Sequence, residues 1–324
     1  MKVTIHGAGA IGGLLGVRLA ASGAAQVSVV ARGPTLAALR RDGWRLRHDG
    51  AELRAAVQAS DAPTDLGPQD LVVVAVKGPA LASVAESVAP LIGPATIVLP
   101  AINGVPWWFG QGIDALSASP LRSVDPHGAI LAAMPLARIV GCVVHASAAQ
   151  VAPGIVEHRI GRELIIGEPS GEDSTRVRDL RALLTAAGFD VTVSGHIRQD
   201  VWYKLWGNLT MNPVSALTGA TADRLLDDPL VRAFCSAAMS EAAQVGARIG
   251  CPITQSPEDR HAVTRKLGAF KTSMLQDIEA GRAIELDAIV AAVAEIGGRL
   301  GVATPNIDAL LGLTRLFARQ RGLY

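Results

Sequence analysis

Short, uniformly apolar runs alternate with glycine-marked turns and helix-length segments through the first 195 residues. Residues 2–6 (KVTIH), 27–31 (VSVVA), 71–76 (LVVVAV) and 96–99 (TIVL) are too short for helices and carry almost no polar positions. Such runs predict strands covered on both faces, as in a parallel sheet. Residues 139–147, 155–167 and 191–194 add further strand candidates, and helix-like runs occupy 14–23 and 34–42. The alternation predicts a doubly wound α/β domain.

Beyond residue 196 the period changes. Ala/Leu-rich segments at 198–218, 229–250, 257–280, 285–301 and 305–320 follow the 3.6-residue repeat of amphipathic helices, and none reads as a strand. The division expected is therefore an α/β domain over 1–195 and an all-α domain over 196–324.

Composition narrows the class without assigning chemistry. The 324 residues are 49% hydrophobic and 18% charged, with a net charge of +1. Large buried cores are expected, and neither a nucleic-acid surface nor an acidic-membrane surface is indicated. Cys142, Cys235 and Cys251 show no metal spacing, so no metal site is predicted. They read as small buried hydrophobes, and their scarcity suits a reducing cytoplasm. The apolar N-terminus is broken by Gly7, Gly9, Gly12, Gly13 and Gly16, and no apolar stretch reaches membrane-span length.

Those glycines have a specific reading. Gly7-Ala8-Gly9-Ala10-Ile11-Gly12 is a GxGxxG loop directly after a strand and directly before a helix. Gly7 permits the tight turn, Gly9 lets the backbone approach a pyrophosphate, and Gly12 allows close helix–strand packing. The anion then rests at a helix N-terminus. NAD-binding chains usually carry an acid at the end of the second strand to hold the ribose 2′-hydroxyl. Here that place holds Arg32, which can pair with the 2′-phosphate of NADP(H), with Arg40 or Arg41 assisting. A solvated surface arginine is the competing reading.

The strongest catalytic candidate is QDVWYKLWGNLTMNPVS, residues 199–215. Lys204, Asn208 and Asn212 recur at i, i+4 and i+8 and share one helix face, while Trp202, Leu205, Leu209 and Met211 spread over the rest. A buried ammonium and two buried amides require partners, which a polar cleft supplies. Pro213 is expected to end or bend this helix. A solvated stripe, or pairing of Lys204 with Asp200, is the alternative.

Taken together, GxGxxG, Lys77 after LVVVAV, Asn103–Gly104 after TIVLPAI, the WxKLxxNxxxNP frame and SMLQD…IELD resemble the ketopantoate reductase (2-dehydropantoate 2-reductase) family over essentially the whole chain. The resemblance implies a Rossmann-type N-terminal domain and a helical C-terminal domain of the 6-phosphogluconate dehydrogenase C-terminal-like type. It also implies an active cleft between them and NADPH-dependent reduction of ketopantoate to D-pantoate, toward pantothenate and coenzyme A. By motif, Lys204 matches the catalytic lysine, and Asn208 and Asn212 the substrate amides. Ser273 matches the carboxylate-contacting serine and Glu285 the acid near the lysine. Lys77 and Asn103 match positions near the nicotinamide and substrate. An ammonium suits the reaction because hydride delivery to a ketone develops negative charge on oxygen.

The stretch VPWWFGQGIDALSASPLRSVDPHGAI after Gly104 departs from the family pattern. Trp107, Trp108 and Phe109 read either as packing beneath a loop or as a wall, lid or dimer contact that reshapes the acceptor pocket. Three alternatives follow: a paralogous reductase of another 2-oxo acid, a non-catalytic NADP-binding sensor, and a 6-phosphogluconate- or 3-hydroxyacid-type dehydrogenase. The apolar helical region permits a homodimer.

Overall fold

The structure is a computed structural model describing residues 1–324. The chain forms two compact units: residues 1–102 with 129–200, and residues 103–128 with 201–324.

The first unit is built on β1 (Lys2–His6), α1 (Ala10–Ala21), β2 (Gln26–Val30), α2 (Gly33–Asp42), β3 (Trp44–His48), β4 (Ala51–Ala55), β5 (Gln58–Ser60), β6 (Gln69–Val74), α3 (Leu81–Ser87) and β7 (Ile92–Pro100). After residue 128 it adds α4 (Ala129–Ala133), β8 (Gly141–Ala152), β9 (Ile155–Gly167), α5 (Thr175–Ala186) and β10 (Asp190–Val193). Strands β5-β2-β1-β6-β7, in that order, make a wholly parallel sheet. Its central residues Val3, Ile5, Val29 and Val73 are completely buried, which is why these strands read as unbroken apolar runs.

The later strands do not extend that sheet. With the early strands β3 and β4 they form a second one, β10-β9-β3-β4, with β8 antiparallel to β9. Only Pro153 and Gly154 separate β8 from β9, and two residues can join strands only as a hairpin. The β3–β4 hairpin escaped the sequence reading, although its Asp49–Gly50 turn is the strongest short hairpin signal. Both turn residues have positive φ, 48° and 77°, as a type I′ turn requires. Helix α1 contacts strands of both sheets. A Cβ at Gly16 would meet the Trp44 ring at 2.3 Å, so a bare α1 surface is what lets the second sheet approach.

Helix α6 (Ile197–Thr218) leads into the second unit, followed by α7 (Ala222–Asp227), α8 (Pro229–Arg248), α9 (Pro257–Arg265), α10 (Ser273–Glu279), α11 (Ala292–Leu300) and α12 (Pro305–Arg319). A π-helical turn, Asp287–Ala291, runs directly into α11. Three expectations need correction. Of the two outcomes expected at Pro213, an end is excluded, since α6 continues to Thr218 with the helix bond to the Leu209 carbonyl lost. The segment 257–280 is two helices, because Gly268 (φ 63°) breaks the first and Thr272, accepting from the Leu275 N–H, caps a new start. Helix α7 was not anticipated.

Residues 103–128 pack with the helices and not with the sheets that precede them in sequence. Trp107, Trp108 and Phe109 are each at most 1% exposed, and Phe109 stacks on Trp202 with ring centroids 5.8 Å apart. They are core, so the packing reading of this stretch holds and the lid reading falls. The three cysteines are free and buried. No helix is long and apolar enough to cross a membrane.

Candidate active site

In the first unit the glycine loop has the geometry a dinucleotide needs. Gly7 lies at φ 111°, where a Cβ would sit 2.7 Å from Val76 Cγ1 and 2.9 Å from the Ala75 carbonyl oxygen. A Cβ on Gly12 would collide with the Gly7 carbonyl oxygen at 1.9 Å, so the turn closes only over glycine. Above Gly9 there is nothing within 4 Å. Gly9 is the N-cap of α1 and brings no capping side chain, and the first turn holds no acid. Helix N–H groups left without a protein cap, beside open space, suit an anion. The backbone of Ala8, Ala10 and Ile11 completes this rim, all three half-buried.

Arg32 caps α2 and is exposed; its Nη2 donates to Ser83 Oγ at 3.0 Å. No carboxylate stands at the end of β2, where Ala31, Arg32 and Gly33 follow the strand. The expected helpers are engaged elsewhere: Arg40 donates to the Ala59 carbonyl, and Arg41 pairs with Asp42 at 2.7 Å. Lys77 is half-buried, at the start of a short 3₁₀ turn after β6. Beneath this rim lies His6, the last residue of β1, buried with neither ring nitrogen hydrogen-bonded. Burial first, and then the Arg32 charge, bring its pKa down to about 4, so the ring is neutral at physiological pH.

The second unit positions the lysine–asparagine stripe. Trp202 Nε1 donates to the Ala242 carbonyl at 3.2 Å and Trp206 Nε1 to the Met239 carbonyl at 2.7 Å. These two indoles pin one face of α6 on α8. Lys204 and Asn208 each follow a tryptophan by two residues, about 200° around the helix, and so point away from α8. Helix rotation is thus set by the tryptophans, a role that their i, i+4 spacing signals but that the sequence reading did not assign.

The stripe meets its partners within the same unit. Lys204 Nζ donates to Asn103 Oδ1 at 2.9 Å. Asn212, 4% exposed, points its Nδ2 at Ser273 Oγ at 3.5 Å, the long limit of a hydrogen bond. Asn208 is half-buried between them on the helix. Ser273 opens α10 and is exposed; Glu285 is half-buried two residues ahead of the π turn. Lys204, Asn208, Asn212, Asn103, Ser273 and Glu285 therefore belong to one unit, whereas Gly7–Gly12, Arg32 and Lys77 belong to the other. Asn103, expected near both cofactor and substrate, falls in the unit that holds the substrate candidates.

A family model described as ketopantoate reductase PanE/ApbA matches residues 3–171, and its C-terminal counterpart matches residues 196–318. The chain belongs to the ketopantoate reductase family. A 2-dehydropantoate 2-reductase from Mesorhizobium japonicum is 43% identical over 325 residues, covering 100% of both chains. The crystal structure of a candidate ketopantoate reductase from Ralstonia solanacearum MolK2 is 56% identical, with a TM-score of 0.96 over 100% of this chain and 99% of that one. A D-mandelate dehydrogenase solved with NADH and anilino(oxo)acetate shares the fold at 21% identity, with a TM-score of 0.85 over 99% of this chain and all of the other. The Rossmann-type sheet and helical second unit are thus those of an oxidoreductase family.

Proposed function

We propose that the protein is an NADP-dependent 2-dehydropantoate 2-reductase, with Lys204 as general acid. The reading is carried by the Lys204–Asn103 hydrogen bond on the same helix face as Asn208 and Asn212. The full-length relative and the family support the choice of substrate.

A bound nicotinamide cofactor supplies the hydride. As it adds to the ketone carbon, the carbonyl π electrons move to oxygen, and the Lys204 ammonium stabilises that charge and donates a proton from Nζ. Asn103 Oδ1 holds Nζ without neutralising it, since an amide carbonyl has no net charge. Asn212 and Ser273 offer an N–H and an O–H to the substrate carboxylate, and Asn208 orients the substrate between them. Glu285 is assigned to hold the lysine, and Lys77 to attract the anionic substrate. Gly7 to Gly12 would hold the pyrophosphate, and Arg32, now bonded to Ser83 Oγ, would hold the 2′-phosphate.

The deciding measurement is kcat/KM for 2-dehydropantoate with NADPH and with NADH, beside a panel of other 2-oxo acids. Preferred turnover of 2-dehydropantoate with NADPH is expected. Negligible turnover of it beside brisk reduction of another acid overturns the substrate; preference for NADH overturns the role of Arg32.

A further inference from the structure

The helical ladder changes register next to Glu285. In the turn Asp287–Ala291 the Ala292 N–H reaches back five residues to the Asp287 carbonyl, where an α-helix reaches back four. One inserted residue widens the turn, and a second segment of chain is laid directly on it. The Val105 N–H donates to the Ala288 carbonyl oxygen at 2.8 Å. Gly104, at φ 79°, leaves no room for a side chain: a Cβ there would lie 2.5 Å from the Ala288 carbonyl oxygen, 2.6 Å from its carbon and 2.8 Å from its Cβ. Two of those three atoms are backbone, so no change of side chain at 288 could relieve the clash. The next residue back along this segment is Asn103, whose Oδ1 accepts from Lys204 Nζ.

We propose that the π-helical turn Asp287–Ala291 and Gly104 form a positioning device that sets Asn103, and through it the Lys204 ammonium. The backbone hydrogen bond fixes the height of the 103–105 segment on the turn, and the bare Gly104 fixes its distance. Neither touches a reacting atom; both are positioning elements. The assignment rests on Lys204 being the proton donor. It also gives the irregular turn a reason to exist, since π turns have poorer helical bonding and concentrate at functional sites. A regular α turn there would shift the acceptor row by one residue and carry the Asn103 amide with it.

The test uses the full-length enzyme. Deleting Ala291 removes the inserted residue and restores α-helical register. This deletion, and separately Gly104→Ala, is expected to lower kcat about 100-fold, the scale of a misplacement near 1 Å, while the dinucleotide Kd is unchanged. A merely structural role would instead lower the thermal midpoint and leave kcat per folded molecule intact. Native-state hydrogen exchange of the Val105 amide in the wild-type protein needs no variant: slow exchange is expected, and exchange at the rate of an open loop overturns the proposal. Lys204→Ala separates the two claims. If it abolishes turnover while the Ala291 deletion folds and keeps wild-type kcat, the positioning device is refuted and the acid stands. If Lys204→Ala retains turnover, the acid assignment fails and the device with it.

Discussion

Lys204 and Asn103 are 101 positions apart in sequence and joined by a 2.9 Å hydrogen bond from Nζ to Oδ1. The bond ties the middle of α6 to the residue that opens the 103–128 segment, and it places an ammonium where the neighbouring amides are uncharged. Lys204→Ala is expected to lower kcat by about 10²- to 10⁴-fold, the usual contribution of a positioned proton donor. Dinucleotide affinity should be retained, because the glycine loop lies in the other unit. Single-turnover reduction followed by cofactor absorbance, with a parallel fluorescence titration, checks both halves.

In the proposed reading, Arg32 is the residue that would separate the two forms of the cofactor. Its guanidinium is exposed and bound to one hydroxyl, that of Ser83, so it can be redirected at little cost. Arg32→Ala should weaken NADPH about 10- to 100-fold, the equivalent of losing a charged hydrogen bond, and leave NADH almost unchanged. Equal loss for both cofactors would show that Arg32 serves the fold instead of the 2′-phosphate.

The indole of Trp206 carries the rotational setting of α6. Trp206→Phe keeps most of the apolar volume but removes the N–H that reaches the Met239 carbonyl. A loss of about 1 kcal/mol in stability is expected, typical of one buried hydrogen bond. A lower kcat should accompany it, because only the Trp202 indole then still bonds α6 to α8 and the stripe opposite is less firmly set. Denaturant unfolding and steady-state kinetics on the same preparation distinguish the two effects.

His6 predicts an acid-side instability. Its folded-state pKa, about 4, lies below the ordinary 6.5, so the unfolded chain binds the proton first. Stability is therefore complete above pH 6.5 and is lost as pH falls from 6.5 toward 4, by up to about 3 kcal/mol from this group. His6→Leu removes both the titration and two unpartnered nitrogens. The variant should match or exceed wild type in stability at pH 7, and the difference should widen at pH 5. Thermal melts at the two pH values check it; parallel pH curves would rule the buried ring out as the cause.

Much of the candidate site was legible because it depends on short-range periodicity. GxGxxG between a strand and a helix is read from one short stretch of chain, and the absence of an acid after β2 from another. The face shared by Lys204, Asn208 and Asn212 follows from 3.6 residues per turn. What failed was local in appearance but non-local in cause. Pro213 offered an end or a bend, yet α6 runs on to Thr218, with Met211 and Val214 buried on either side of it. The lid reading of Trp107 and Trp108, the alternative to packing, fails because the segment that bears them is buried in the helical unit.

Most element types, the glycine loop and the side chains that share a helix face were written in the chain itself, since each of these is dictated by backbone geometry over a few residues. What those faces meet was set by the packing of whole elements. It brought Asn103 to Lys204 and Ser273 to Asn212, and laid Gly104 on the carbonyl of Ala288. It also joined the later strands to the early β3–β4 hairpin in a second sheet. Contacts between residues tens to more than a hundred positions apart depend on how whole elements pack, and no local pattern encodes that distance.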